Sequence, residues 1–283
     1  LIQQLLDTAL VVEGGAMRGV FSTGVLDGFL ERHFNPFHFY IGVSAGATSL
    51  AAYLAEMPGR NRKIYTDYSI RPEFINVPRF LRGGHLVDLD WLWDITIARM
   101  RLNLPTIYAK GKPFIVGLTD VHTGKAVYKE TAAEDLEHLL KASSALPLFY
   151  RDFPLVDGVP MTDGGVADPI PIAETIRRGA QRIMVIRTRA GDYKKSRDPW
   201  NYLISWFLRQ YPALRETILN QDRIYNNAAS LIHNPPSGVS IIQVCPPDGF
   251  QTGRFSRKPE VLHEGYQQGH ASADDAIARW ESV

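Results

Sequence analysis

Short apolar runs alternate with helix-periodic segments along the first part of the chain, and glycines mark the changes between them. Thr8-Ala9-Leu10-Val11-Val12 is β-rich and stops at Glu13-Gly14-Gly15, after which a periodic segment runs from Gly19 to Leu30. Phe37-His38-Phe39-Tyr40-Ile41 stops at Gly42, and Ala45 to Leu54 is rich in helix formers. Two strand, glycine loop, helix units in succession predict an α/β fold: a mainly parallel sheet with helices on both faces and sites at the carboxyl ends of its strands.

Further along, the stretch 60–108 is irregular, with Pro72, Pro78, Pro105 and Gly83-Gly84, and reads as loops and short helices inserted after the second unit. Strand-like runs at 114–121 and 125–129 flank His122-Thr123-Gly124, a hairpin signature. A helix is expected over 133–144, where Leu136, Leu139 and Leu140 share a face. Asp157-Gly158 suits a type I′ turn between Pro154-Leu155-Val156 and Val159-Pro160-Met161. Pro171 opens a helix, strands are expected at 182–186 and 239–244, and helices at 199–208, 213–232 and 260–280. The expected organisation is a single domain over 1–283, with a motif-bearing core at about 9–187 and a helical C-terminal part at about 199–283.

Composition narrows the function classes. Lys plus Arg (31) balance Asp plus Glu (30), so no global field draws the chain to nucleic acid. One cysteine, Cys245, precludes an intrachain disulfide framework, fits a reducing compartment and reads as a small core hydrophobe. No run approaches the roughly 18 apolar residues of a membrane span. Leu1–Leu6 lack the basic flank and cleavage site of a signal peptide, although a start at Leu1 leaves an upstream segment open. The expected location is cytoplasmic, peripheral to the inner face of the membrane. No His, Asp or Glu cluster has ligand spacing, so neither a metal nor another cofactor is expected.

Gly42-Val43-Ser44-Ala45-Gly46 places a serine between a strand and a helix. That is the setting of a nucleophile elbow, and the helix N-terminus favours a developing oxyanion. By itself the pattern also fits a glycine-rich turn whose serine caps a helix. A serine needs a proton acceptor, usually histidine. His233, His263 and His270 have the right chain order, but none sits in a glycine-flanked strand-end loop, and each reads as a surface or capping residue. Met161-Thr162-Asp163-Gly164-Gly165 instead ends a strand-like run with a carboxylate where close backbone approach is permitted, although Asp-Gly-Gly alone also fits a plain turn.

Gly14-Gly15-Ala16-Met17-Arg18-Gly19 could direct backbone N–H groups at an anion. It lacks the Gly-x-Gly-x-x-Gly spacing and the ribose-binding acid of a dinucleotide site. Together with Gly42–Gly46, Asp163–Gly165 and the segment Ala142-Ser143-Ser144-Ala145-Leu146-Pro147, this loop makes the chain resemble the patatin-like phospholipases over residues 9–187. The resemblance implies a three-layer α/β/α sandwich and a Ser44–Asp163 dyad that works without histidine. It further implies an oxyanion hole from the loop amides of Gly14, Gly15 and Ala16, with Arg18 beside it and Gly19 allowing close packing. Ala16 departs from the family's usual glycine, which leaves open whether it adopts φ > 0.

The expected activity is hydrolysis of lipid carboxyl esters through an acyl-enzyme, as in a phospholipase A or lysophospholipase. Transfer of the acyl group to an alcohol or thiol, or a non-catalytic lipid-binding scaffold, are the alternatives. The expected partner is a lipid or other acyl ester, together with peripheral membrane contact. In the stretch 81–104, Trp91, Leu92, Trp93, Ile95 and Ile97 near Arg82, Arg99 and Arg101 fit an aromatic flap at a lipid surface, and fit better a helix packed on the core.

Overall fold

The central strands are apolar on both faces because two separate cores need them. In β1 (Thr8–Val12), Leu10 and Val12 belong to one core, and Ala9 and Val11 to the other. The same two-residue alternation in later strands explains why they read as continuous hydrophobic runs. The computed structural model describes residues 7–282; Leu1–Leu6, considered above for a signal peptide, lie outside the described residues.

After β1 come α1 (Gly19–Glu31), β2 (Phe39–Val43) and α2 (Ala45–Leu54). The irregular insertion contains α3 (Arg60–Lys63), α4 (Val77–Leu81), α5 (Leu89–Met100) and α6 (Leu104–Ala109). The chain continues with β3 (Phe114–Asp120), β4 (Ala126–Glu130), α7 (Leu136–Ser143), β5 (Leu155–Val156) and β6 (Val159–Asp163). It closes with α8 (Ile172–Arg177), β7 (Arg182–Ile186), α9 (Pro199–Phe207), α10 (Pro212–Leu219), α11 (Gln221–His233), β8 (Ser240–Val244), α12 (Pro259–Ala271) and α13 (Ala273–Glu281).

These strands form an eight-stranded sheet in the order β5-β6-β3-β2-β1-β7-β8, with β4 also paired to β3. Strands β3, β2, β1, β7 and β8 are parallel, and β4 and β6 run antiparallel to β3. Helices α1, α2, α7 and α13 cover one face and α8 and α11 the other, giving the three-layer α/β/α sandwich. The expected type I′ turn is present, with φ of 51° at Asp157 and 77° at Gly158. Two expected long helices are each broken: α10 gives way to α11 at Asn220, and α12 to α13 at Ser272. No helix among the described residues is long and apolar enough to cross a membrane.

The register of β3 positions the site. Residues 114–117 pair with β2, and 118–120 pair with β6. Because β4 pairs with 115–119, it must occupy the opposite edge, so β2 and β6 follow one another along a single edge of β3. They run in opposite directions, so their carboxyl ends meet: Val43 lies against Gly117, and Asp163 against Leu118.

At the other end of the chain, β8 extends the sheet beyond β7, and α12 packs on α1 through small residues. A Cβ on Gly24 of α1 would lie 2.1 Å from the Tyr266 carbonyl oxygen, and one on Gly269 of α12 would lie 2.0 Å from that of Phe21. Both contacts are with backbone, so no side-chain movement relieves them. Gly24→Ala and Gly269→Ala should therefore each destabilise the protein by about 1–3 kcal/mol or more through overpacking. Thermal denaturation checks this, and an unchanged melting temperature would contradict the close crossing.

Candidate active site

Ser44 stands on the turn between β2 and α2 with φ 53° and ψ −126°, a conformation that costs a non-glycine residue of order 1–3 kcal/mol. Its flanking glycines serve a different purpose. A Cβ on Gly42 would meet the Ala47 backbone at 2.7 Å, and one on Gly46 would meet the Val12 carbonyl oxygen at 2.3 Å. The glycines let α2 close down on β1 and β2, and the serine carries the strain.

Across the junction of β2 and β6, Ser44 Oγ donates a 2.7 Å hydrogen bond to Asp163 Oδ2. Both side chains are buried. The other carboxylate oxygen, Oδ1, accepts from the Gly165 amide at 2.7 Å. A Cβ on Gly164 would lie 2.2 Å from the Gly117 carbonyl oxygen, so only glycine lets the chain leave Asp163 along this path. Burial pushes the Asp163 carboxyl up to about 6, against the opposing influence of the Ser44 and Gly165 hydrogen bonds and the Arg254 charge.

Ser143 supports the pair, a role for which the sequence offered no separate signal within its Ala-Ser-Ser-Ala block. Its hydroxyl donates to the Gly117 carbonyl at 2.6 Å and accepts from the Ser44 amide at 2.7 Å. The Ser44 N–H is thereby engaged within the protein. The Gly14, Gly15 and Ala16 amides have no hydrogen-bond acceptor among the described residues. Ala16 has φ 49°, so alanine here takes the left-handed conformation usual for glycine. Gly15 packs against Thr188, and Gly19 leaves room for the Tyr65 hydroxyl, which a Cβ would meet at 2.4 Å.

Two cavities meet at Ser44. The first is mainly apolar and is walled by Tyr65, Phe74, Leu92, Trp93, Ile97 and Leu140. One face of α5 thus turns inward: Trp93 Nε1 donates to the Glu137 carbonyl at 2.8 Å, and Leu89, Leu92 and Thr96 are buried. Of the two readings of 81–104, the helix packed on the core is the one found, and its Leu92, Trp93 and Ile97 form a cavity wall, with Trp93 also finding a hydrogen-bond acceptor. The second cavity, the more polar of the two although Phe149 and Ile218 also wall it, brings Gly14, Gly15, Arg18, Ser44, Asp163 and Gly165 to a common surface. Arg254, from the loop between β8 and α12, also reaches it. That residue lies in Gln251-Thr252-Gly253-Arg254-Phe255, which carries no recognisable motif.

No histidine lines either cavity among the described residues. His233 bonds the Ala229 carbonyl at the end of α11, His270 bonds Glu31, and His263 is exposed. Cys245 is half-buried rather than fully in the core, and burial pushes its thiol up to about 11. The fold does gather one group that sequence spacing could not show: potential ligand atoms of His85, Asp90 and Asp152 lie within 4.8 Å of one another. Asp90 is bound by Lys141 and the Tyr150 hydroxyl, and His85 Nδ1 accepts from the Arg151 amide, so protein groups already use this donor set.

An α/β/α sandwich with a serine on a strained strand-to-helix turn, bonded to an aspartate at the next strand end, defines a narrow structural class. Residues 10–176 match the family model described as patatin-like phospholipase, and the chain belongs to that family of lipid acyl hydrolases. Residues 211–283 match a second model, described as a domain of unknown function, DUF6363. The chain is similar to the uncharacterized protein YjjU of Escherichia coli (strain K12), at 34% identity over 272 residues, covering 92% of this chain and 74% of YjjU. It is also similar to the crystal structure of VipD from Legionella pneumophila, at TM-score 0.47 and 14% identity, covering 97% of this chain and 67% of VipD.

The strain at Ser44 can be separated from its chemistry. Ser44→Ala and Ser44→Gly both remove the hydroxyl, but only glycine is at ease at this φ and ψ. The glycine variant should be the more stable of the two by about 1–3 kcal/mol in denaturant titration. Equal stability would mean that the turn is unstrained.

Proposed function

We propose that the protein hydrolyses carboxyl esters of lipids, with Ser44 as nucleophile and Asp163 as its base. The observation that carries this reading is the buried 2.7 Å bond from Ser44 Oγ to Asp163 Oδ2, at the meeting point of an apolar cavity and a polar one. Ser44 Oγ attacks the ester carbonyl carbon while its proton passes to Asp163. The carbonyl oxygen becomes an oxyanion facing the Gly14, Gly15 and Ala16 amides. Collapse breaks the bond to the alcohol, which leaves with the proton from Asp163. Water then attacks the acyl-enzyme by the same route and frees the fatty acid and Ser44.

A raised carboxyl pKa suits this role, because a base works best when its pKa lies closer to the working pH. The apolar cavity is suited to an acyl chain, and the polar one to the alcohol portion. We read residues 1–283 as one domain, since β8 and α12 of the C-terminal part pack directly on β7 and α1.

Membrane contact belongs in this reading to α9 rather than α5. Trp200, Tyr202, Trp206 and Phe207 are 65%, 57%, 57% and 51% exposed, while Asn201 and Ile204 of the same helix line the polar cavity. Arg209 stacks on Trp206, and Arg197 precedes the helix. Amphipathic aromatics flanked by cations beside the mouth of the site suit the interface of an anionic bilayer.

A fluorophosphonate probe should label the protein, and labelling should disappear in Ser44→Ala. Asp163→Asn should lower kcat/KM by at least about 100-fold, the usual scale of a lost general base. Because the base must be unprotonated, kcat/KM should fall as pH drops through about 6. Labelling that survives Ser44→Ala, or a full rate in Asp163→Asn, would refute the dyad. An acid limb near the ordinary carboxylate range would refute its tuning. Product analysis with added alcohol or thiol distinguishes hydrolysis from acyl transfer. For the membrane face, the double variant Trp200→Ser, Trp206→Ser should lose flotation with vesicles containing phosphatidylglycerol; undiminished flotation would remove α9 from that role.

A further inference from the structure

Four cations come together in the polar cavity, and among the described residues none of them forms an ion pair. They are Arg18 at the end of the glycine loop, Arg189 and Lys195 from the segment after β7, and Arg254 from the loop before α12. The chain usually neutralises such groups: Arg177 and Arg178 share Glu174, and Arg101 forks onto Glu137. Here it does not. Arg18 is only 6% exposed, and its Nε is buried without an acceptor among the described residues. Arg189 stacks on Tyr193, and Lys195 Nζ donates to the Gln221 side chain at 2.9 Å, so both are held by neutral groups.

The carboxylates lining the cavity are Glu13 and Asp163, and both are committed elsewhere. Glu13 accepts from the Thr188 amide at 2.7 Å and lies 4.0 Å from the buried Arg187. Asp163 holds Ser44 and the Gly165 amide. Glu13 acts on Arg18, Asp198 on Lys195 and Asp163 on Arg254, but none of these carboxylates reaches ion-pair distance of its cation, and the like charges repel one another. Burial, reinforced by repulsion from Arg189 and Arg254, lowers Arg18 to about 10; burial and repulsion from Arg254, Arg18 and Arg189, opposed by Asp198, lower Lys195 to about 8.

We infer that this cluster is a subsite for a phosphate monoester on the alcohol portion of the substrate, so that the preferred ester is an acyl chain carried on a small phosphorylated alcohol. The inference rests on the hydrolase reading above and specifies its substrate. A phosphate monoester brings about two negative charges and three peripheral oxygens, which several guanidinium forks and an ammonium can share. A single carboxylate would leave most of the cations unmatched. A phosphocholine head would add a fixed cation to a cavity that already has too many. Ser44 lines both cavities, so an ester carbonyl there would have its acyl chain on the apolar side and its phosphate on the cationic side.

The test compares monohexanoylglycerol phosphate with monohexanoylglycerol and the matching phosphocholine ester, chosen short so that all three are monomeric in solution. The phosphate ester should exceed each of the others in kcat/KM by about tenfold or more, the scale of one charge-assisted hydrogen bond. That ratio should collapse by about tenfold in the double variant Arg189→Gln, Lys195→Gln and recover in part in Arg189→Lys, Lys195→Arg, which keeps both charges. Inorganic phosphate and glycerol phosphate, as inhibitors of the monohexanoylglycerol reaction, separate a general phosphate site from one that reads the whole head group. Inhibition by either that weakens in the neutral double variant supports the subsite. Ratios near one in the native protein, or ratios unmoved by the double variant, overturn it. If no ester turns over, the hydrolase reading fails separately, and calorimetric titration with inorganic phosphate decides the subsite: heat of binding lost in the double variant supports it, and no heat overturns it.

Discussion

The site depends on one edge of one strand. Because β3 is longer than β2, its free upper portion accepts β6 running the other way, and the carboxyl ends of two antiparallel segments abut at Gly117 and Leu118. Residues 119 positions apart in sequence are thereby held within hydrogen-bond distance. Gly117 bears this junction. Its carbonyl takes the Ser143 hydroxyl, which in turn holds the Ser44 amide, and the same carbonyl sits under the turn that follows Asp163. A Cβ on Gly117 itself would meet the Val43 side chain at 2.8 Å. Sheet register, rather than any flexible loop, sets the separation of Ser44 and Asp163.

That placement has electrostatic consequences. Enclosing Asp163 in the sheet edge disfavours its charged form, yet two hydrogen bonds keep the carboxylate oriented. A nearby cation, Arg254, acts in the same direction as those bonds. The glycine loop adds amides without acceptors among the described residues, and the Ser44 turn adds strain. Each feature would be unfavourable in a merely structural region, and their coincidence at one point is characteristic of a site organised in advance for an incoming group.

Much of this was legible in the sequence because it is local. The apolar runs ending at Gly14 and Gly42 marked strand ends, Asp157-Gly158 marked its hairpin, and the glycine spacing around Ser44 marked the elbow. What could not be read arises from contacts between distant segments. Nothing in the patterning of Phe114 to Asp120 could reveal that β3 pairs with three strands, since the run looks like any buried strand. Arg254 enters the polar cavity only because β8 extends the sheet and α12 folds back on α1. The aromatics of α5 read as a helix packed on the core in preference to a surface flap, but periodicity reports amphipathicity and could not show that this helix walls a cavity. Asn220 and Ser272, where expected long helices break, are polar residues of ordinary helix propensity, and tertiary packing decides them.

The Met17 amide donates to the Arg254 carbonyl at 3.3 Å, joining the glycine loop to the segment matched by the family of unknown function. Two stretches that sequence families describe separately thus face one another across the same opening. Neither is free to drift alone: a change in the C-terminal stretch that shifts Arg254 also disturbs the backbone that presents the loop amides. Over evolutionary time the pair should therefore be inherited as a unit, and a chimera joining this N-terminal core to an unrelated C-terminal partner would inherit Ser44 and the glycine loop but not the wall opposite them.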